Sequence, residues 1–202
     1  MPHPFQCRCG ALRGEITHTQ HAVRAACYCR DCQAYAHVLG QGAQVLDANG
    51  GTEVVVTQAA DVHLTQGRDQ LACLSLSPRG LLRWYARCCD TPIANTPRDW
   101  RLPYVGMVHS CLHQPRPLEH AFPRVQMRVN TKGAHGTPPA SSRVAGALRF
   151  LGTALRLFAA RVRGTYRTTP FFDGQGQPVA AVHVVDRQAL QAARARAAAV
   201  PH

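Results

Sequence analysis

Cys27-Tyr28-Cys29-Arg30-Asp31-Cys32 places three thiols within six residues, in the order Cys-x-Cys-x-x-Cys. Two sulfurs on a tight backbone loop and a third one turn later can converge on one metal ion. Thiolates at tetrahedral angles suit zinc. An iron–sulfur cluster is the alternative, and it needs a fourth cysteine or a substitute. Three local ligands leave a fourth position for water, substrate or a distant side chain, the layout of a reactive site. The competing reading is three thiols that only pack. A zinc held by three thiolates is electron-rich, so it is a weaker Lewis acid that takes soft donors and can hold a substrate thiolate at neutral pH. The chemistry that suits it makes or breaks a carbon–sulfur bond, with Cys27, Cys29 and Cys32 as the residues that carry it.

Two further stretches place cysteines close together. In Cys7-Arg8-Cys9-Gly10 the glycine permits a left-handed turn, so that both sulfurs can point into one site. Arg87-Cys88-Cys89-Asp90-Thr91-Pro92-Ile93 is a second metal-like knuckle. Adjacent side chains on an extended strand point to opposite faces, so Cys88 and Cys89 can share one ion only if the backbone is contorted. If they do not, these cysteines pack as small apolar residues. His109, Cys111 and His113 alternate and share a face if their strand reaches that far. Cys73 reads as core. Near the triple-cysteine loop, Arg30 is a candidate for attracting a substrate carboxylate, and Asp31 or His37 for moving a proton, His37 being the better because it titrates near neutrality.

Short strands must position these groups. Residues 11–17 and 21–27 read as strands, the second delivering Cys27, and 33–39 as a short helix closed by Gly40. Thr52 to Gln58 is rich in β-branched residues. A meander follows, with strands at 61–65, 71–77 and 81–86 joined by Gly67-Arg68-Asp69 and Pro78-Arg79-Gly80. Strands are also expected at 103–112 and 124–131. Residues 132–142, with Gly133, Gly136, Pro138 and Pro139, read as a linker. The period then changes: Val144, Leu148, Leu151, Leu155, Phe158 and Val162 form one apolar stripe of a helix over 143–163, capped by Ser141 or Ser142, with Arg149, Arg156 and Arg163 in a line beside it. A strand over 178–185 and an Ala/Arg helix over 187–200 end the chain. The expected fold is mainly β over 1–131, with a C-terminal α-helical extension over 143–202.

Taken in order, Cys-x-Cys-Gly, then Cys-x-Cys-x-x-Cys, then a strand ending in cysteine before Thr91-Pro92-Ile93 resembles the glutathione-dependent formaldehyde-activating enzyme and centromere protein V family. The resemblance covers residues 7 to about 110 and implies a β-tent fold with two zinc ions. It implies an open, substrate-facing zinc on Cys27, Cys29 and Cys32. It also implies a closed structural zinc on Cys7, Cys9 and Cys89, with Cys88 supplying the sulfur that the family places where Ala86 stands. Asp90 replaces the family's usual glycine. The implied reaction joins glutathione and formaldehyde into S-hydroxymethylglutathione, or reverses that step.

Composition narrows the classes. The 202 residues are 46% hydrophobic, enough for a packed core, and contain no apolar run long enough to span a membrane. The N-terminus lacks the charged and apolar regions of a signal peptide. A cytoplasmic location is therefore expected, where nine cysteines are better explained by metal than by disulfides. The net charge of +12 is uneven: residues 1–131 carry 13 arginines and no lysine against nine acids, and residues 132–202 carry ten basic side chains against two acids. Nucleic acid is not the expected partner; a solvated basic tail explains the bias. A second copy docked through the 143–163 helix is an expected partner, and a membrane-surface role for that helix is the lesser option. The first expectation is thus a zinc-dependent carbon–sulfur lyase acting on glutathione or another small-thiol adduct. The alternative is a non-catalytic zinc-stabilised module that binds nucleic acid or protein through its basic C-terminal region.

Overall fold

A computed structural model of the chain describes residues 1–113, 116–140 and 142–199. Its strands are β1 (His3–Gln6), β2 (Arg13–Ile16), β3 (Val23–Cys27), β4 (Thr52–Gln58), β5 (Val62–Gln66), β6 (Leu71–Ser75), β7 (Leu82–Ala86), β8 (Thr91–Thr96), β9 (Tyr104–Val108), β10 (Met127–Val129) and β11 (Val182–Val184). Its helices are α1 (Arg30–Val38), α2 (Gly42–Val45), α3 (Arg143–Arg163) and α4 (Arg187–Ala198). The fold is mainly β, as the run of short strands and turns predicts. Val200, the expected end of the last helix, lies outside the described residues.

Two sheets form. β1, β2 and β5 make an antiparallel layer of three, and the other strands join in the order β10-β3-β4-β9-β8-β7-β6-β11. The pleat sorts side chains between two cores. Val55 of β4, Cys73 of β6, Trp84 of β7 and Met107 of β9 meet Phe5, Leu12, Ile16 and Val62 from the smaller sheet. On the opposite face, Leu74, Leu76 and Val108 meet Ala34, Tyr35 and Ala36 of α1. Cys73 is core, as expected.

Besides β1 and α2, which the sequence reading did not expect, three segments near the sites depart from it. β8 was hidden because all six of its residues are buried between β7 and β9, leaving no alternation to detect. β9 stops at Val108, and His109–Cys111 turn instead as a short 3-10 segment. His109, Cys111 and His113 therefore share no strand face. Part of the expected 132–142 linker is held to the domain: Gln33 Nε2 donates to the Gly133 carbonyl at 2.9 Å, and the His135 amide donates to Asn49 O at 3.0 Å.

The C-terminal stretch completes the same body. β11 pairs parallel to β6, Phe171 stacks at 5.1 Å on Trp84, and α4 packs on α1 through buried Ala193 and Ala197. The bounds of α3 match the periodicity, and Ser142 caps it by accepting from the Ala145 amide at 3.3 Å. Ser141 and the Val144 side chain lie outside the described residues. The rest of the expected stripe faces outward, with Leu148, Leu151, Leu155, Phe158 and Val162 between 55% and 70% exposed. Phe150, Thr153, Ala154 and Leu157 instead border a cavity over the large sheet, although Phe150 is itself 66% exposed. No helix among the described residues is long and apolar enough to cross a membrane.

Candidate metal centres and the cavity beneath helix α3

The sheet pleat aims Cys27 at the cavity. It ends β3 on the same face as Val23 and Ala25, which line the cavity with it. Cys29 is the N-cap of α1, its sulfur accepting from the Cys32 amide at 3.4 Å. Cys32 sits one turn on, at the three-residue spacing that shares a helix face. The result is three sulfurs within 4.8 Å of one another. Among the described residues, no fourth histidine, cysteine or carboxylate joins them.

The electrostatics fit a cation there. Hydrogen bonds from Cys29 and then Cys32 hold the Cys27 thiol well below its ordinary value. The same bonds to Cys27 push Cys29 and Cys32 up, with burial adding to both. Three sulfurs so close keep one thiolate between them, because further ionisation meets like-charge repulsion unless a cation is bound.

Two neighbours that the sequence reading did not single out complete the site. Arg83, from the middle of β7, is only 3% exposed. Its Nη1 lies 3.6 Å from Cys32 Sγ and 3.1 Å from Asn95 Oδ1, and its guanidinium sits over the Tyr35 ring at 5.2 Å. None of the ion pairs among the described residues involves it. Burial pulls its pKa down, but the Cys32 charge and hydrogen bond outweigh that and raise it. Asn130 follows β10 with a left-handed φ of 56°, a conformation asparagine tolerates, and points Nδ2 at Cys27 Sγ, 3.5 Å away. An arginine inside an apolar strand pattern was the only available signal for Arg83.

Above the sulfurs lies a cavity of about 430 Å³ floored by alternate residues of β3 and β4 and roofed by α3. Tyr104 lines it, and burial, with the Cys32 and Cys27 charges adding, pushes its hydroxyl up to about 12. That hydroxyl is therefore a donor, not a base, near neutrality. Asp31 is at the cavity edge and pairs with Arg194 at 3.2 Å. Arg30 is exposed and does not line the cavity. His37 sits near the far end of α1, against Gly42, away from the sulfurs, so the proton-moving expectation finds no support there.

The second group gathers Cys7, Cys9, Cys88 and Cys89, again within 4.8 Å. Sulfur separations are 3.5 Å for Cys7–Cys9, 3.7 Å for Cys7–Cys88, 3.3 Å for Cys9–Cys88 and 3.8 Å for Cys88–Cys89. A tetrahedral ion with metal–sulfur bonds of about 2.3 Å spaces its ligands about 3.8 Å apart, so these residues fit one. The adjacent pair converges because Cys88 and Cys89 sit in a turn, not on a strand. The Asp90 amide returns to Ala86 O at 2.8 Å, and Asp90 takes a φ of 54°. On the other side, Gly10 has a φ of 75° and its amide donates to Cys7 O at 2.9 Å. Burial pushes Cys89 up, but hydrogen bonds from Thr91 and Cys9 outweigh it and bring it down to about 6. Burial, then its bonds to Cys9 and Cys7, pushes Cys88 up.

His109 and Cys111 join neither group. His109 Nδ1 faces Glu53 O at 3.1 Å, and the fully buried Cys111 thiol donates to Val108 O at 3.1 Å.

Among solved structures, a Rhodobacter sphaeroides protein determined by crystallography is similar at 17% identity and a TM-score of 0.42, over 62% of this chain and 99% of that one. No curated protein matches. The profile of one family matches residues 2–183, which takes in every cysteine of both groups, Arg83, Asn130 and α3. By that match the chain belongs to DUF6151, a family of unknown function.

Proposed function

We propose that the chain is a zinc-dependent carbon–sulfur lyase-like enzyme acting on a small-thiol adduct of the S-hydroxymethyl type. The carrying observation is the three-sulfur group, with no fourth protein ligand among the described residues, at the floor of a cavity large enough for a small ligand. On this reading Cys27, Cys29 and Cys32 hold the open zinc, and Cys7, Cys9, Cys88 and Cys89 hold a closed one that ties the N-terminal loop to the β7–β8 turn. When bound, the open ion supplies an electron-rich Lewis acid that keeps a soft sulfur donor ionised at neutral pH.

The protein's own groups do the rest. In the synthetic direction, the substrate sulfur forms a bond to the carbonyl carbon of an aldehyde. The carbon–oxygen π pair moves to oxygen, which takes up the proton the thiol released. Tyr104, which lines the cavity and keeps its proton near neutrality, would on this reading hydrogen-bond that oxygen as charge grows on it. Arg83 balances the negative charge of the sulfurs, and α3 limits water. The order of the cysteine motifs, resembling that of glutathione-dependent formaldehyde-activating enzymes, supports the same reaction class. For partners, the outward stripe of α3 supports pairing with a second copy. A chain that sediments as a monomer at high concentration removes that proposal.

The test is metal content by elemental mass spectrometry, on native protein and on Cys29→Ser, purified under reducing, chelator-free conditions. Two zinc ions per chain falling to one, together with lost thiol–aldehyde turnover, are expected. One falling to none means that Cys7, Cys9, Cys88 and Cys89 hold no ion. No metal in either sample defeats the catalytic reading.

A further inference from the structure

Resting on the open-zinc reading, we infer that the thiol accepted by this cavity is apolar: an alkyl or aryl mercaptan, or its adduct with a small aldehyde, and not a charged peptide thiol.

The lining divides sharply. Val23, Val54, Val56 and Met127 pave the floor, and half-buried Leu157 of α3 lines the opposite side together with Phe150, which is 66% exposed. Arg83 and Asn130, beside the sulfurs, are already engaged, Arg83 with Cys32 and Asn95 and Asn130 with Cys27, and Ser77, Tyr104 and Thr153 add only uncharged hydroxyls to the lining. The one arginine lining the cavity is thus buried and committed, and the one carboxylate, Asp31, repels anions and is paired with Arg194. A thiol bearing two carboxylates, such as glutathione, would have to desolvate them with no cation to receive them, which is unfavourable. An aliphatic body gains from leaving water along its whole length. The volume, about 430 Å³, falls in the range of about 300–1,000 Å³ typical of small-ligand pockets. Of the expected thiols, glutathione or another small thiol, the one implied by the family resemblance, glutathione, is therefore the one this lining does not suit.

The experiment loads the chain with cobalt(II) and follows sulfur-to-cobalt absorbance during titration with ethanethiol, butanethiol, hexanethiol and, separately, glutathione. The alkanethiols have nearly equal acidities, so differences among them report the cavity. Affinity is expected to tighten by about fourfold per added methylene until the cavity fills, with hexanethiol well ahead of glutathione. Leu157→Gln, on the surface helix and away from the metal ligands, should flatten the chain-length series while the cobalt stoichiometry is retained. A flat series in the native protein, or glutathione binding as tightly as hexanethiol, would overturn the apolar class and leave the open position standing. No spectral change with any thiol would overturn the open position, and this inference with it.

Discussion

Arg83 shows how one buried charge constrains what surrounds it. A guanidinium 3% exposed, with no carboxylate partner among the described residues, must be balanced by something anionic. With a divalent ion bound, three thiolates would carry a net charge of about minus one, which Arg83 would balance through Cys32. Arg83→Met, which keeps the side chain's bulk and removes its charge, is expected to weaken zinc binding by about 10–100-fold, the usual cost of losing an outer partner of a metal ligand. Competition against a chromogenic chelator measures it. Unchanged affinity would mean the guanidinium only fills space against Tyr35. Asn130 works the same way at Cys27, with less at stake because it is neutral.

Among elements, the turn between β7 and β8 decides whether Cys88 and Cys89 can share an ion. It does so through one residue, Asp90, at a φ of 54°. β-branched residues resist that conformation strongly and glycine accepts it freely. Asp90→Val is therefore expected to cost about 1–2 kcal/mol in urea unfolding and to reduce metal content. Asp90→Gly should keep both. Equal loss in the two variants would show that the aspartate side chain, not the backbone, is what matters. The knuckle of Cys27, Cys29 and Cys32 uses a strand end and a helix start instead, two regular elements that fix directions without strain. Helix α3 rests lightly on the sheet, as suits a roof over a cavity, and keeps an apolar face outward.

At the level of the whole molecule, residues 171–198 are structural partners of the first hundred. Phe171 and Phe172 pack on Trp84, β11 covers the edge of β6, and α4 covers α1. Phe171→Ala is expected to destabilise the chain by about 3–5 kcal/mol in denaturant unfolding, the cost of emptying a large aromatic site in a core. A loss under 1 kcal/mol would show that the C-terminal segment is loosely held. Part of the basic charge of the C-terminal third is also spent within the chain. Arg161 pairs with Asp99, Arg194 with Asp31, and Arg156 donates to His21 O. Such exposed contacts add little stability each, yet they leave fewer free cations for nucleic acid than the composition suggests.

Local chemistry was legible in the sequence, because it depends on neighbours a few bonds apart. Cys-x-Cys-x-x-Cys places three sulfurs together in any compact conformation of that loop. The repeats of β4 and α3, and the glycine turns at Gly10 and Gly67, follow from period and backbone freedom alone. The mainly β class follows from the same local signals. What only the tertiary structure decided are the contacts between residues far apart in the chain. Cys7 meets Cys88 across 81 positions, Arg83 meets Cys32 across 51, and Asn130 meets Cys27 across 103. No local pattern records such pairs, since strand order sets them and not sequence spacing. The apolar lining over the sulfurs is of that kind too: Val54 and Leu157 are ordinary core-like residues until the sheet and α3 enclose a space between them.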